Sequence, residues 1–162
     1  MPEAAAPAPA RSGIGFDVHR FDPGRELWLA GVRVQGVDGL AGHSDGDVVC
    51  HAIADALLGA AALGDVGQHF RESDPAVAGM PGTTLLGRTA DLLAGAGFAP
   101  SSVDVTVVCD EPTIAPRRDA MRESLAATLR IPVDRVSVKA TRPEGLGLVG
   151  DGIGCLAIAV IA

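Results

Sequence analysis

Hydrophobic and polar residues alternate along several stretches of the chain, a pattern typical of β-strands with one buried face. The clearest example is Val103-Asp-Val-Thr-Val-Val-Cys109. Further strands are predicted at residues 13–19, 135–140 and 155–161, with a short strand pair at 26–30 and 32–34. Strands are therefore expected at the beginning of the chain and throughout its second half.

Helical signals lie between these strands. Ser44 and Asp47 match the S/T-x-x-[DE] capping pattern and predict a helix that ends at Gly64. A second helix is predicted over about residues 83–95. A third is predicted from about Pro116, because proline is favoured at the first helical position.

This order of elements predicts an α/β fold of the α+β two-layer type. We expect a mixed four-stranded sheet with helices on one face. Residues 13–162 are expected to form a single domain without internal repeats. Residues 1–12 are rich in alanine and proline and lack a basic or strongly apolar segment, so we predict a disordered tail and not a secretion signal.

Composition narrows the classes of function. Aromatic residues make up only 3% of the chain, which argues against base stacking with single-stranded nucleic acid. The net charge of −7 argues against binding to nucleic acid or to anionic membranes. The three cysteines have no C-x₂-C spacing, so reduced, packed thiols in a cytoplasmic protein are predicted.

A candidate metal site combines two predicted elements. Asp17 and His19 are two residues apart in a strand, so their side chains share one face. Asp47, His51 and Asp55 are spaced four apart and are expected on one face of the first helix, where Asp55 would hold the second ring nitrogen of His51. A carboxylate and two neutral imidazoles suit Zn²⁺ with one open position. For any single histidine, packing or hydrogen bonding is the commoner role.

Three other motifs have weaker implications. Gly145-x-Gly-x-x-Gly150 matches a dinucleotide-binding pattern, but only twelve residues follow, too few for the required βαβ unit, so a tight turn is predicted. Glu144 lies where carboxylates often bind Mg²⁺, with a solvated loop acid as the alternative. The loop at 109–116 is interpreted either as a ligand-binding loop or as a simple turn.

Several segments together resemble the 2-C-methyl-D-erythritol 2,4-cyclodiphosphate synthase family of the non-mevalonate isoprenoid pathway. They are Gly15-Phe-Asp17-Val-His19, His43-Ser-Asp-Gly-Asp47, residues 51–67, Asp74-Pro75, Val138-Lys139-Ala-Thr141 and Glu144-Gly-Leu-Gly147. The resemblance implies a homotrimer with active sites between subunits. It also implies a lyase that cyclises 4-diphosphocytidyl-2-C-methyl-D-erythritol 2-phosphate and releases CMP.

The resemblance further implies roles for individual residues. Asp17, His19 and His51 match a Zn²⁺ site, and Glu144 matches the ligand of an Mg²⁺ or Mn²⁺ ion on the substrate diphosphate. The implied catalytic residues are His43, which would stabilise the transition state, with Arg142 and Glu144. The implied substrate-binding residues are Asp17, His19, His43, Ser44, Asp65, Val66, Gly67, Phe70, Asp74, Cys109, Pro112, Thr113, Ala115, Thr141, Arg142, Glu144, Leu148 and Asp151.

The chain departs from the family pattern at several positions. Arg142 replaces a threonine, and we expect its guanidinium to contact phosphate instead. Thr113 replaces a common lysine, and Leu148 a common phenylalanine. Asp151 and Ile153 replace an arginine and a glutamate, which bears on ligand binding in a central trimer cavity. A metal-dependent phosphate-ester hydrolase and a catalytically impaired metal- and nucleotide-binding trimer are the alternative functions.

Overall fold

A mixed sheet of five strands forms one layer of the protein in the computed structural model, which describes residues 9–147 and 149–162. The strands are β1 (Arg11–Asp22), β2 (Leu27–Leu29), β3 (Val32–Val34), β4 (Gly39–Leu40), β5 (Pro100–Val108), β6 (Val136–Thr141) and β7 (Gly152–Ile161). The sheet order is β4-β1-β7-β5-β6, with β2 and β3 forming a separate hairpin. Only β5 and β6 pair in parallel, so β1, β5 and β6 all end at the same edge of the sheet.

The predicted mixed sheet is confirmed, and its four long strands are extended at the edge by β4. This strand has two residues, which is too short for alternation to reveal. The predicted tail is wrong at Arg11 and Ser12, because both belong to β1 and pair with Ile161 and Val160. Residues 1–8 of that predicted tail lie outside the described residues.

Four α-helices lie in the described part of the chain, and the first of them packs against one face of the sheet. They are α1 (Val48–Ala60), α2 (Val66–His69), α3 (Gly82–Gly95) and α4 (Arg118–Leu129). Short 3₁₀ turns lie at Pro75–Val77, Ala115–Arg117 and Val133–Arg135. In the described part of the chain, no helix is long and apolar enough to cross a membrane.

Asp47, and not Ser44, caps α1. The Asp47 carboxylate accepts a hydrogen bond of 3.1 Å from the Cys50 N–H, whereas the Ser44 hydroxyl accepts one of 3.3 Å from Gly46. The helix also ends at Ala60, before the predicted Gly64. The predicted capping pattern therefore placed a helix correctly but assigned its first residue too early.

Glycine in β1 allows α1 to lie directly on the sheet. A Cβ atom at Gly15 would be 2.0 Å from the Ala52 carbonyl oxygen, and one at Gly13 would be 2.0 Å from that of Ala56. No side chain fits in such a gap. The close approach brings His51, on α1, over the Asp17 segment of β1.

The opposite face of the sheet is apolar and open along β1 and β7. Its exposed residues include Ile14, Phe16, Val18, Leu156 and Ile158, with Ile14 68% exposed. In the register of the two strands, Ile14 lies beside Ile158 and Phe16 beside Leu156, so they form one continuous patch. Exposed apolar patches of this kind mark interaction surfaces.

All three cysteines are free and buried, as predicted. Burial raises the pKa of each thiol, and that of Cys109 rises to about 11. The thiols therefore contribute to packing and carry no reactive thiolate at neutral pH.

Candidate active site

Asp17, His19 and His51 converge on one point, as their spacing predicted. One Asp17 carboxylate oxygen lies 2.9 Å from His19 Nε2 and 3.1 Å from His51 Nδ1. The three potential ligand atoms all lie within 4.8 Å of one another. One carboxylate oxygen and two imidazole nitrogens are the donor set of a three-ligand zinc-type site, so these residues fit a divalent metal.

The remaining ring nitrogens are held in place by groups outside the cluster. His19 Nδ1 donates to the Ala41 carbonyl at 2.5 Å, which leaves Nε2 as its metal-binding atom. His51 Nε2 lies 3.1 Å from the Ser44 hydroxyl. The predicted partner Asp55 is therefore wrong, because its Oδ1 accepts the Val66 N–H at 2.8 Å and anchors α2.

Contacts within the cluster shift the pKa of Asp17 and the pKa of His19. The Asp17 hydrogen bond raises the pKa of His19 above its usual 6.5. Burial opposes ionisation of Asp17, but the hydrogen bonds from His19 and His51 hold the pKa of that carboxyl well below its usual range. Asp17 is therefore an anion at neutral pH, ready to bind either imidazolium protons or a cation.

Two carboxylates fix the loop that leads into α1 and carries Ser44. Asp47 accepts hydrogen bonds from the backbone N–H groups of Ala30 and Gly31 at 2.8 and 2.7 Å, besides capping α1. Asp45 accepts from Gly82 at 2.8 Å and so attaches the loop to α3. These contacts join segments that are distant in sequence, and they set the position of the Ser44 hydroxyl against His51.

A cavity of about 440 Å³ opens over the cluster. The predicted site residues that line it are Asp17, His19, His43, Ser44, His51, Asp65, Val66, Gly67 and Phe70. Further lining residues that the sequence did not single out for a role in this cavity are Phe16, Gly42, Asp55, Glu72, Val77 and Leu85. His43 Nδ1 lies 3.5 Å from the Glu72 carboxylate, and both side chains are more than half exposed.

A second cavity, of about 210 Å³, lies where β5 and β6 end and α4 begins. Its lining includes the predicted substrate-binding residues Cys109, Pro112, Thr113, Ala115, Thr141 and Arg142. It also includes Asp110, Ile114, Arg118 and Ala140, which the sequence did not indicate as individual contacts. The two cavities share no lining residue, so they are separate within one chain.

Four predicted site residues lie outside both cavities or outside the description. Asp74 caps the 3₁₀ turn Pro75–Val77 by accepting the Ala76 N–H at 2.9 Å. Glu144 and Asp151 are exposed and line neither cavity. Leu148 lies outside the described residues.

The turn at Gly145–Gly150 confirms that the G-x-G-x-x-G match is not a dinucleotide motif. The three glycines adopt φ values of 70°, 71° and 58°, which favour glycine, and β7 follows them directly. None of the described residues of this turn begins a helix, so they offer no helix N-terminus to a pyrophosphate.

Comparison with known proteins finds related sequences and related structures. The YgbB family model matches residues 10–162. The 2-C-methyl-D-erythritol 2,4-cyclodiphosphate synthase of Symbiobacterium thermophilum is 51% identical over 152 residues, covering 93% of this chain and 97% of that protein. A solved 2C-methyl-D-erythritol-2,4-cyclodiphosphate synthase in its CDP-bound form superimposes with a TM-score of 0.86 and 33% identity, covering 94% of this chain and all of that one.

A longer type of relative is also similar. The bifunctional enzyme IspD/IspF of Caulobacter vibrioides is 50% identical over 152 residues, covering 94% of this chain but 40% of that protein. The chain thus spans about two fifths of the length of such relatives. Because the family model spans nearly the whole chain, and relatives half identical to it match over almost their full length, the chain belongs to the YgbB family, together with the 2-C-methyl-D-erythritol 2,4-cyclodiphosphate synthases.

Proposed function

We propose that the protein converts 4-diphosphocytidyl-2-C-methyl-D-erythritol 2-phosphate to 2-C-methyl-D-erythritol 2,4-cyclodiphosphate and releases CMP. The Asp17/His19/His51 cluster carries the proposal, since it lies in the larger cavity of a chain half identical to proteins with that activity in their name. An oxygen of the 2-phosphate would attack the β-phosphorus, and the bond from that phosphorus to the oxygen shared with the α-phosphate would break. That oxygen leaves on CMP, so no protein nucleophile is required.

We further propose that Asp17, His19 and His51 hold Zn²⁺, and that Glu144 takes Mg²⁺ or Mn²⁺ with the substrate diphosphate. Such ions would neutralise phosphate charge and hold the reacting groups in line. The protein's contribution is orientation, because Ala41 and Ser44 fix the two rings while Asp17 remains ionised. The exposed Glu144 carboxylate lies on a turn at the edge of the sheet where β6 ends.

Electrostatics explains why orientation and charge neutralisation suffice. Attack of one phosphate on another brings two anions together. Each pair of unit charges at about 4 Å repels by roughly 4 kcal/mol at an effective dielectric of 20. His43 lies at the cavity wall with a side chain 57% exposed, where its imidazole can donate to a phosphate oxygen. Holding the two phosphates together also removes the entropic cost of their encounter.

The proposed assembly is a homotrimer in the cytoplasm, with each active site built from two subunits. Two features of the single chain support this proposal. The metal-type cluster and the proposed nucleotide residues lie in different cavities, and the apolar face of β1 and β7 is open for a neighbour. A cyclic assembly brings unlike surfaces of neighbouring copies together, which would join the two cavities.

One assay tests the reaction. The protein is incubated with the cytidylyl substrate and Mg²⁺, and the products are followed by phosphorus NMR. Cyclic diphosphate together with CMP supports the proposal. Open-chain phosphates would show a hydrolase, and unchanged substrate would show a binding protein, so either result contradicts it.

A complementation experiment tests the shared site. His51→Ala removes a residue of the larger cavity, and Arg142→Ala removes one of the smaller cavity. If sites lie between subunits, co-assembly of the two inactive variants restores up to about a quarter of the activity, because some interfaces combine two intact halves. A mass of three times 16.4 kDa by light scattering is expected for both variants. Absence of recovery in verified mixed trimers would place each site within one chain.

A further inference from the structure

We infer that Arg118 and Arg142 together form a phosphate-binding pair in the smaller cavity, and that Arg118 is a further substrate-binding residue. The nature of the ligand, the nucleotide part of the substrate, rests on the proposed function. Both arginines line this cavity of about 210 Å³, one from the first residue of α4 and one just after β6. They therefore approach the same space from two different elements.

Arg118 has no other evident role. Within the described part of the chain, neither Arg118 nor Arg142 forms an ion pair or a side-chain hydrogen bond. The neighbouring Arg117 is different, because its guanidinium donates to the Thr113 carbonyl at 3.0 Å. An exposed guanidinium beside a cavity, without a protein partner, is suited to a ligand anion.

The position of Arg118 also favours an anion. A positive charge in the first helical turn is unfavourable, because the helix dipole is positive there. Arg117 and Arg118 place two such charges at the start of α4, against a single acid in the first turn, Asp119, which pairs with Arg122 at 3.4 Å. A bound phosphate would compensate the positive charge that remains. Asp110 is the one acidic residue of the cavity lining, and it forms no ion pair with either cavity arginine.

The rest of the cavity suits the remainder of a nucleotide. The buried Pro112 and Ile114 provide an apolar wall, and Thr113 and Thr141 provide hydroxyls. Arginine binds phosphate oxygens through two parallel N–H bonds, which fixes orientation as well as charge. We thus expect the two arginines to recognise the phosphate and the wall to recognise the nucleoside.

Calorimetric titration with CMP and with cytidine separates these contributions. Arg118→Ala and Arg142→Ala should each weaken CMP binding by about tenfold or more, as expected for a lost charge-assisted bond, and leave cytidine binding unchanged. Arg118→Lys should recover part of the loss. Arg33→Ala is the matched control, because it removes one positive charge from an exposed pair with Glu26, outside both cavities. Thermal unfolding confirms that each variant is folded.

Unchanged CMP affinity in Arg118→Ala would overturn the inference. Equal losses of CMP and cytidine would overturn it as well, because they would show damage to the cavity wall. If the wild-type protein binds neither compound, the nucleotide part of the proposed function fails, and inorganic pyrophosphate becomes the probe. Pyrophosphate binding that needs both arginines would still support the anion site, and absence of that binding would end the inference.

Discussion

Gly15→Ala tests whether the close approach of α1 to β1 builds the metal-type cluster. The new Cβ would lie 2.0 Å from the Ala52 carbonyl oxygen and 2.7 Å from the Ala56 nitrogen, whereas Cβ atoms essentially never come within 3.0 Å of another atom. The helix must therefore move away by about 1 Å. Both obstructing atoms belong to the backbone, so no side-chain rotation relieves the clash.

The expected cost follows from that displacement. Overpacking a core typically costs 1–3 kcal/mol, and a backbone clash belongs at the upper end, so we expect a loss of about 3 kcal/mol in the free energy of unfolding. Metal ligands must stay within about 0.2 Å of their preferred distances. Because His51 moves with α1, zinc affinity should fall at least tenfold.

Gly59→Ala provides a matched control on the same helix. Gly59 is exposed, and a Cβ there would meet nothing within 4 Å. That substitution should stabilise the protein by about 0.4–1 kcal/mol and leave zinc affinity unchanged. Urea unfolding with EDTA and a competitive zinc titration measure both quantities. If Gly15→Ala lost less than about 0.5 kcal/mol and bound zinc normally, the close contact would not position His51, and the reasoning would fail.

Four further predictions concern buried and titrating groups. Asp47→Ala removes the acceptor of three backbone N–H groups and should lower the free energy of unfolding by about 3–5 kcal/mol, measured by urea unfolding; a loss below 1 kcal/mol would contradict this. Without metal, the Asp17–His19 contact should stabilise the fold most between pH 3.8 and 6.5. It is lost as pH falls through the lowered Asp17 pKa or rises through the raised His19 pKa, and thermal unfolding across pH measures it. Zinc affinity should rise with pH through the His19 titration, because the ion displaces a proton; a flat profile in competitive titrations would refute this. Iodoacetamide should alkylate Cys109 far more slowly than free cysteine at pH 8, since its pKa is about 11; peptide mass spectrometry checks this.

Periodicity predicted the long strands and the existence of three helices, because it records which residues face the core. It misplaced the start of α1, because the residue that caps this helix is fixed by contacts with a distant segment. Asp47 caps α1 while also holding Ala30 and Gly31, a contact between segments that no local pattern records. α2 was not predicted, because its four residues show no helical period.

The site was predictable where ligands are close in sequence or lie on one periodic face. Asp17 and His19 follow from the two-residue period of a strand, and His51 from its place on a helix. The hydrogen-bond partner of His51 was not predictable, because Ser44 reaches this histidine from a loop that Asp45 attaches to α3. Arg118 was missed for a similar reason, since a polar residue at the start of a helix gives no signal that it faces a cavity.

The charges of the two cavities explain how an acidic protein, with a net charge of −7, can bind the proposed polyanion. Four carboxylates line the larger cavity: Asp17, Asp55, Asp65 and Glu72. Asp55 and Asp65 each accept a backbone N–H at 2.8 and 2.9 Å, so they are fixed in place. A phosphate entering this cavity alone would meet repulsion of roughly 4 kcal/mol from each unit charge at about 4 Å, so divalent cations must accompany it. The smaller cavity has two arginines against one acid and can bind a phosphate directly. Chelation of the metal should therefore abolish turnover while leaving CMP affinity intact. Loss of the two arginines should weaken CMP binding while leaving zinc affinity intact.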